Sequence, residues 1–270
     1  MIPEKARDTL DYALKKSGEV LMMHLGLSSE VTVKESISSV VTEADLASEK
    51  VILELLQDSA ESYNVITEES GYLDNGSDYT WVIDPLDGTS NFAAGLPWFG
   101  VIIALLHKEI PLLGGMYLPV YKELYTTELN RGSWKNGEAI RVTDSDSLAE
   151  HLLAYSFDFS DVPGKTESEM EVLNRLSKKV RNIRSTNSLV DFCYTADGRL
   201  GAAVNQTTKI WDIAVPWLMI REGGGKVTDI QGQEIHFDLS AKTFDRNYTI
   251  MASGSRLFDS LMSTIEILHP

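Results

Sequence analysis

Trp81-Val-Ile-Asp84-Pro-Leu-Asp87-Gly-Thr89-Ser-Asn-Phe92 is the stretch on which the reading of this chain turns. The apolar run from Trp81 to Ile83 reads as the end of a buried strand. Two carboxylates follow, Asp84 and Asp87, with Pro85 between them. Pro85 fixes its own φ and biases Asp84 toward extended backbone. Gly88 lets the main chain approach a ligand closely. Gly88-Thr89-Ser-Asn then reads as a turn that opens a short helix. Acids attract cations, and the free N–H groups at a helix start attract anions. A metal–phosphate pair would satisfy both. The same residues also make an ordinary surface turn with a helix cap, so the remainder of the chain has to choose.

Composition narrows the choice. The 270 residues are 43% hydrophobic and 24% charged, as in a globular protein of one large or two closely joined domains. A formal charge of −16 argues against nucleic acid as a partner, because phosphate backbones are held by basic patches. An anionic substrate would need local cations, such as metal ions, to invert that field. Cys193 is the single cysteine, so no disulfide closes within the chain, which suits a reducing compartment. The longest apolar run, Val101 to Leu106, is far too short to span a bilayer. Glu4 and Asp8 stand where a signal segment would be apolar. The expectation is a cytoplasmic protein with no membrane attachment.

Working outward from the opening stretch, residues 3–25 carry apolar positions at helical spacing. Val31-Thr-Val33 reads as a short strand and Lys34 to Ser39 as a polar loop or hairpin. Thr42-Glu-Ala-Asp45 reads as a capping box, which gives Asp45 a purely local explanation beside a functional one as a hydrogen-bond acceptor in a site. Asn64-Val-Ile66 is a short strand that ends in Thr67-Glu68-Glu69-Ser70-Gly71. Beyond Phe92, three β-rich runs (Trp98 to Leu106, Leu112 to Leu118, Glu123 to Thr127) predict an antiparallel meander. Arg131 to Gly137 predicts a further hairpin. The polar run Asp144-Ser-Asp-Ser147 marks an expected boundary, dividing the chain into 1–145 and 146–270. The second half alternates. Strands are expected at 152–156, 180–183, 202–205, 226–230 and 247–251. Helices are expected at 166–179 (capped by Thr166, with Glu169 three on), 189–196, from Trp211 to the Gly223-Gly-Gly225 stop, and 256–268. Pro216 is placed within the first turn of its helix. The pattern is an α/β half packed against an α+β half.

Asp212 then joins the argument. It stands at a helix start, where the dipole alone stabilises a carboxylate by roughly 0.3–1 kcal/mol, yet it also follows an apolar strand. Glu68, Asp84, Asp87 and Asp212 all lie at ends of apolar runs, where α/β proteins collect ligands. Four carboxylates held together repel one another unless cations lie between them. Oxygen ligands select Mg²⁺, Mn²⁺ or Ca²⁺ over Zn²⁺. The five histidines are scattered, and neither G-x-S-x-G nor a P-loop is present.

Together, Glu68-Glu69-Ser70, Asp84-Pro-Leu-Asp87-Gly-Thr89 and Trp211-Asp212-Ile-Ala resemble the inositol monophosphatase family across the whole chain, and Val41-Thr-Glu-Ala-Asp45 adds a fourth match. The resemblance implies a layered αβαβα sandwich of the sugar-phosphatase type, antiparallel-rich in its first half. It implies a lithium-sensitive, Mg²⁺-dependent phosphomonoesterase, a homodimer, using two to three ions per site, with Mn²⁺ as a substitute. Glu68, Asp84 and the carbonyl of Leu86 would hold the first ion. Asp84, Asp87 and Asp212 would hold the second, and Glu68 would help hold a third. Thr89, backed by Asp45, would orient the attacking water, and the Gly88 and Thr89 amides would hold phosphate. Lys34 falls where the family often places a lysine in a metal loop.

The chain departs from the family where the alcohol half of the substrate would sit. Asn205 replaces a glutamate common in inositol monophosphatases, and Asn187-Ser188-Leu189 replaces a Gly-Ser/Thr-Ala. Ser188 and Asn205 are therefore the expected substrate contacts. The lower charge there leaves a second phosphate less disfavoured. The expected substrate is a small phosphorylated alcohol, myo-inositol 1-phosphate first. Fructose 1,6-bisphosphate and 3′-phosphoadenosine 5′-phosphate are the alternatives. A regulatory, partner-binding protein on the same fold is the reading from another class.

Overall fold

The structure is a computed structural model, and it describes residues 2–26, 32–33, 40–57 and 62–265. The first half gives α1 (Ala6–His24), β1 (Thr32–Val33), β2 (Val40–Val41), α2 (Glu43–Gln57), β3 (Asn64–Thr67), β4 (Gly71–Leu73), β5 (Tyr79–Asp87), α3 (Thr89–Ala93), β6 (Gly100–His107), β7 (Ile110–Leu118), β8 (Glu123–Glu128), β9 (Gly132–Lys135) and β10 (Glu138–Ile140). The second half gives β11 (Leu152–Ser156), α4 (Lys165–Ser177), β12 (Asn182–Arg184), α5 (Val190–Ala196), β13 (Ala202–Thr208), α6 (Ile210–Glu222), β14 (Gly225–Thr228), β15 (Tyr248–Gly254) and α7 (Phe258–Ile265).

Among the described residues, one sheet has eight strands in the order β10-β9-β8-β7-β6-β5-β3-β4, and another has five in the order β12-β11-β13-β15-β14. The meander from β6 to β10 is antiparallel throughout, while β3 and β5 run parallel. Three apolar cores separate the layers. Leu10 and Leu14 of α1 and Ile52 of α2 bury against Ile83 and Ile103 on one face of the large sheet. The other face, with Ile102 and Met116, meets α5 and α6, which in turn lie under Ala203 and Ala252 of the small sheet. Leu176 of α4 and Leu261 of α7 cover the outer face of the small sheet. The order is α-β-α-β-α. Helices on both faces explain why β5 and β6 read as nearly continuous apolar runs rather than alternating ones.

The end of β5 is where the fold makes its site. In a regular strand, residues an odd number apart point to opposite faces, so Asp84 and Asp87 should diverge. They do not, because the ladder shifts register there: Asp84 pairs with Ile102, but Asp87 pairs with Gly100. Three steps on one strand face two on the other, a bulge of one residue that re-aims the second acid. Pro85 lies inside that bulge and has no N–H to lose from the ladder.

Several expectations need correction. Pro216 is the seventh residue of α6, past the first turn. It removes the bond to the carbonyl of Asp212, a cost met by a helix whose residues from Ile213 to Ile220 are all buried. Thr166 does not cap α4. The helix begins at Lys165 after Gly164, whose left-handed φ of 80° supplies the turn. The strand expected at 180–183 lies at Asn182–Arg184, and that at 202–205 continues to Thr208. The short strand near Val31 covers Thr32–Val33 and pairs antiparallel with Val40–Val41. Lys34 to Ser39, Val31 and the end of the last expected helix lie outside the described residues.

Candidate active site

Two helix starts bring carboxylates to the site by the same local device. At α2, the Asp45 Oδ2 accepts from the Thr42 N–H at 2.8 Å and from the Thr42 hydroxyl at 2.7 Å, while the Thr42 Oγ1 accepts from the Ala44 N–H at 3.2 Å. This is the capping box foreseen from sequence, with Asp45 in the glutamate position. At α6, the Asp212 Oδ2 accepts from the Lys209 N–H at 2.7 Å and from the Thr208 hydroxyl at 2.7 Å. Each carboxylate is held by one oxygen. The Asp45 Oδ1 accepts from the Thr89 hydroxyl at 3.0 Å. Asp45 therefore caps a helix with one oxygen and accepts from Thr89 with the other.

The β5 bulge supplies the centre. One carboxylate oxygen each from Asp84, Asp87 and Asp212 lie within 4.8 Å of one another. The Asp84 Oδ1 accepts from the Leu86 N–H at 3.0 Å, and the Ser48 hydroxyl pins the Pro85 carbonyl at 2.6 Å. The Asp87 Oδ1 accepts from the Leu189 N–H at 2.5 Å, tying the large sheet to the start of α5. The Thr89 hydroxyl also lies 2.9 Å from the Leu86 carbonyl oxygen. Gly88 has φ +84°, and a Cβ there would stand 2.5 Å from the Trp98 carbonyl oxygen. Only glycine allows the chain to turn here, where Gly88 and Thr89 line the cleft. The Glu68 N–H donates to the Ile83 carbonyl at 3.2 Å, setting Glu68 beside the end of β5. Buried Glu49 of α2 holds the same turn, accepting from Thr67 Oγ1 at 2.7 Å, from the Ser70 N–H at 2.9 Å and from the Ser70 hydroxyl.

The electrostatics are those of a site built for positive charge. Burial pushes the Asp84 and Asp87 carboxyls well above the usual range, and the neighbouring acids add to it: Glu68 most for Asp84, Asp212 most for Asp87. Burial also raises Asp212, against the hydrogen bonds from Lys209 and Thr208. Acids in this state are costly to ionise until a cation lies between them. An all-oxygen donor set fits a hard divalent ion.

These groups line one end of a cleft of about 690 Å³. Its other end comes mainly from the second sheet and the loops beside it. Ser188 and Asn205 both line the cleft. The Ser188 hydroxyl faces the Thr186 hydroxyl at 3.1 Å, and the Asn205 Oδ1 accepts from the Thr207 N–H at 2.9 Å, leaving its amide N–H groups as donors. The sequence reading missed Asp158, Lys165 and Asp191, which also line this end. Asp158 accepts from the Asn187 side-chain amide at 3.0 Å, across 29 positions of sequence. Asp191 stands at the start of α5, with its oxygens taken by the Thr186 hydroxyl at 2.8 Å and the Ser156 hydroxyl at 3.0 Å. Asp191 at a third helix start was the one signal available.

A sequence model of the inositol monophosphatase family matches residues 4–267. The chain belongs to that family. It is 33% identical over 251 residues to the fructose-1,6-bisphosphatase/inositol-1-monophosphatase of Thermotoga maritima, covering 92% of each chain. It is 32% identical over 256 residues to the Nus factor SuhB of Haemophilus influenzae, covering 94% of this chain and 92% of that one. The crystal structure of the extragenic suppressor protein suhB of Bartonella henselae superposes with a TM-score of 0.88 at 28% identity, covering 97% of this chain and 99% of the other. Among the described residues no helix is long and apolar enough to cross a membrane.

Proposed function

We propose that this protein is a Mg²⁺-dependent phosphomonoesterase that releases phosphate from a small phosphorylated alcohol, with myo-inositol 1-phosphate as the leading substrate. The observation that carries this is the meeting of Asp84, Asp87 and Asp212 oxygens within 4.8 Å, from two different sheets' surroundings, beside the Thr89–Asp45 pair. Glu68, Asp84 and the Leu86 carbonyl would hold one ion, Asp84, Asp87 and Asp212 a second, and Glu68 would contribute to a third. Bound Mg²⁺ or Mn²⁺ supplies positive charge for the phosphoryl oxygens and lowers the pKa of water.

The chain's own groups do the rest. Thr89 has one hydroxyl proton, and the Asp45 carboxylate at 3.0 Å draws it away from the cleft. The Thr89 lone pairs are then left to accept from an attacking water and fix its direction. The Gly88 and Thr89 amides, at the start of α3, hold the phosphate oxygens. Ser188 and the Asn205 amide face the alcohol. Water attacks directly, so no covalent enzyme intermediate is required.

A second reading, a regulatory or partner-binding protein, is favoured by the relative named Nus factor SuhB. The acid cluster favours the enzyme, because mutually repelling buried carboxylates serve no packing purpose. Purified protein with Mg²⁺ should release phosphate from myo-inositol 1-phosphate and stop when the metal is chelated or lithium is added. Fructose 1,6-bisphosphate and 3′-phosphoadenosine 5′-phosphate are the comparison substrates. No release from any of the three, at any Mg²⁺ concentration, would sink the enzyme reading. We infer two domains meeting near residues 145–146, supported by one sheet ending at Ile140 and the other beginning at Leu152. A homodimer is the assembly this family membership supports, and light scattering would test it.

A further inference from the structure

The alcohol end of the cleft carries a carboxylate that the reaction itself does not use. Asp158 lies in the loop between β11 and α4 and lines the same cleft as Asp212. Its Oδ1 is gripped by the Asn187 side-chain amide at 3.0 Å. Asn187 is itself held in the left-handed region, at φ 53°, where asparagine is one of the few tolerated side chains. Around the pair stand neutral hydrogen-bonding groups, the Asn205 amide, the Ser188 hydroxyl and Thr207.

The charges at this end decide what can bind there. Eight carboxylates and two lysines line the whole cleft. Four of the acids form the candidate metal site, and the Asp191 carboxylate is occupied by two hydroxyls. Asp158, Asp161 and Asp245 remain. Neither lysine offsets them for a ligand. The Lys209 Nζ donates to the Phe244 carbonyl at 2.6 Å. The Lys165 Nζ donates to the Thr207 hydroxyl and faces the Glu169 carboxylate at 3.6 Å, whose buried oxygens otherwise accept no hydrogen bond. A second phosphate would meet carboxylates with no uncommitted lysine, whereas substrate hydroxyls can donate to them.

We propose that Asp158 is a specificity-determining residue that accepts hydrogen bonds from hydroxyls of the substrate, with Asn187 as its positioning residue, so that the cleft selects polyhydroxyl monophosphates over bisphosphates. This rests on the phosphatase reading above. It reverses the sequence-based expectation that Asn205 makes a second phosphate less disfavoured, because the acid comes from a different loop.

The test is Asp158→Asn, assayed with myo-inositol 1-phosphate, fructose 1,6-bisphosphate and phenyl phosphate, which has no hydroxyls. A hydrogen bond to a charged group is worth about tenfold or more in binding. The expected result is a KM for inositol 1-phosphate raised about tenfold with kcat nearly unchanged. Phenyl phosphate should stay within about threefold, and fructose 1,6-bisphosphate should improve. Asn187→Gly keeps the left-handed backbone and removes only the amide. It should shift the same KM in the same direction by a smaller factor. An equal loss on all three substrates, or no change on any, would overturn the inference. Should the wild-type protein hydrolyse none of them, the phosphatase reading falls. Calorimetric binding of inositol 1-phosphate then reads Asp158 alone: a tenfold weakening in Asp158→Asn supports it, and unchanged affinity overturns it.

Discussion

Asp45 and Asp212 occupy equivalent positions on two helices and do different work. Each lies third in its helix, and each uses one oxygen to accept a preceding backbone N–H and a threonine hydroxyl, from Thr42 in one case and Thr208 with Lys209 in the other. What separates them is what else each carboxylate meets. Asp45 meets a neutral hydroxyl, that of Thr89. One carboxylate oxygen of Asp212 lies within 4.8 Å of oxygens from Asp84 and Asp87. A capping box explains why each acid is rigid, and the surroundings decide whether that rigid acid meets a hydroxyl or other carboxylates.

The comparison breaks most visibly at Asp212→Asn. The amide oxygen can still cap α6, so the fold should persist with an unchanged thermal midpoint. One negative ligand disappears from the oxygen cluster, and kcat should fall on the order of 10³-fold, in line with the loss of a main electrostatic contact to the reacting centre. Mg²⁺ dependence of activity and a melting curve measured together would check it. A variant that keeps full activity would mean that Asp212 is only a cap.

The difference between these two acids also shows what could be read from sequence and what could not. The box at Thr42-x-x-Asp45 was legible, and so was the helix start at Trp211-Asp212, since both are local patterns; the cap that Thr208 and Lys209 make with Asp212 was not. The meander and the buried β5, whose apolar runs are long, were legible too. That Asp84 and Asp87 share a face was not derivable from spacing, because an odd separation on a strand predicts opposite faces; the bulge at Pro85 supplies the missing residue. Pro216 was misplaced although the start of its helix was not. It lies past the first turn whether α6 is counted from the expected Trp211 or from Ile210, and only the near-complete burial of α6, a tertiary feature, makes it tolerable there. Asp158 was invisible because its contact with Asn187 spans 29 positions and both sit in irregular backbone. Groups placed by strand termini and caps leave local traces, and contacts between distant loops do not.

A smaller effect is expected on the Asp45 side. Thr89→Ala removes the hydroxyl proposed to orient water, and kcat should fall about 10²-fold with little change in KM. Asp45→Asn should cost less, because the amide can still face Thr89 but no longer fixes which way its proton points. If the two act as one unit, the double variant should be no slower than Thr89→Ala alone. Additive losses in that cycle would separate Asp45 from Thr89 and return it to a purely capping role.

The smallest effect on catalysis belongs to the third helix-start acid, Asp191, whose oxygens are both consumed by Ser156 and Thr186. With nothing left to offer the cleft, Asp191→Asn should change kcat by less than about tenfold, unlike Asp212→Asn. Its signature is in stability. Burial lifts the Asp191 carboxyl from 3.8 to about 6, against the hydrogen bonds that pull it down. The folded state therefore holds this proton more tightly than the unfolded chain. Below pH 4 both states keep it and no penalty arises; as pH rises through 4 to 6 the penalty grows, and above 6 it is complete, at about 3 kcal/mol. Urea unfolding of the wild type and of Asp191→Asn at pH 4 and pH 7 should show the variant gaining relative stability by about that amount at the higher pH. A difference independent of pH would mean that the Asp191 carboxyl is ionised in the fold throughout, with its hydrogen bonds outweighing its burial.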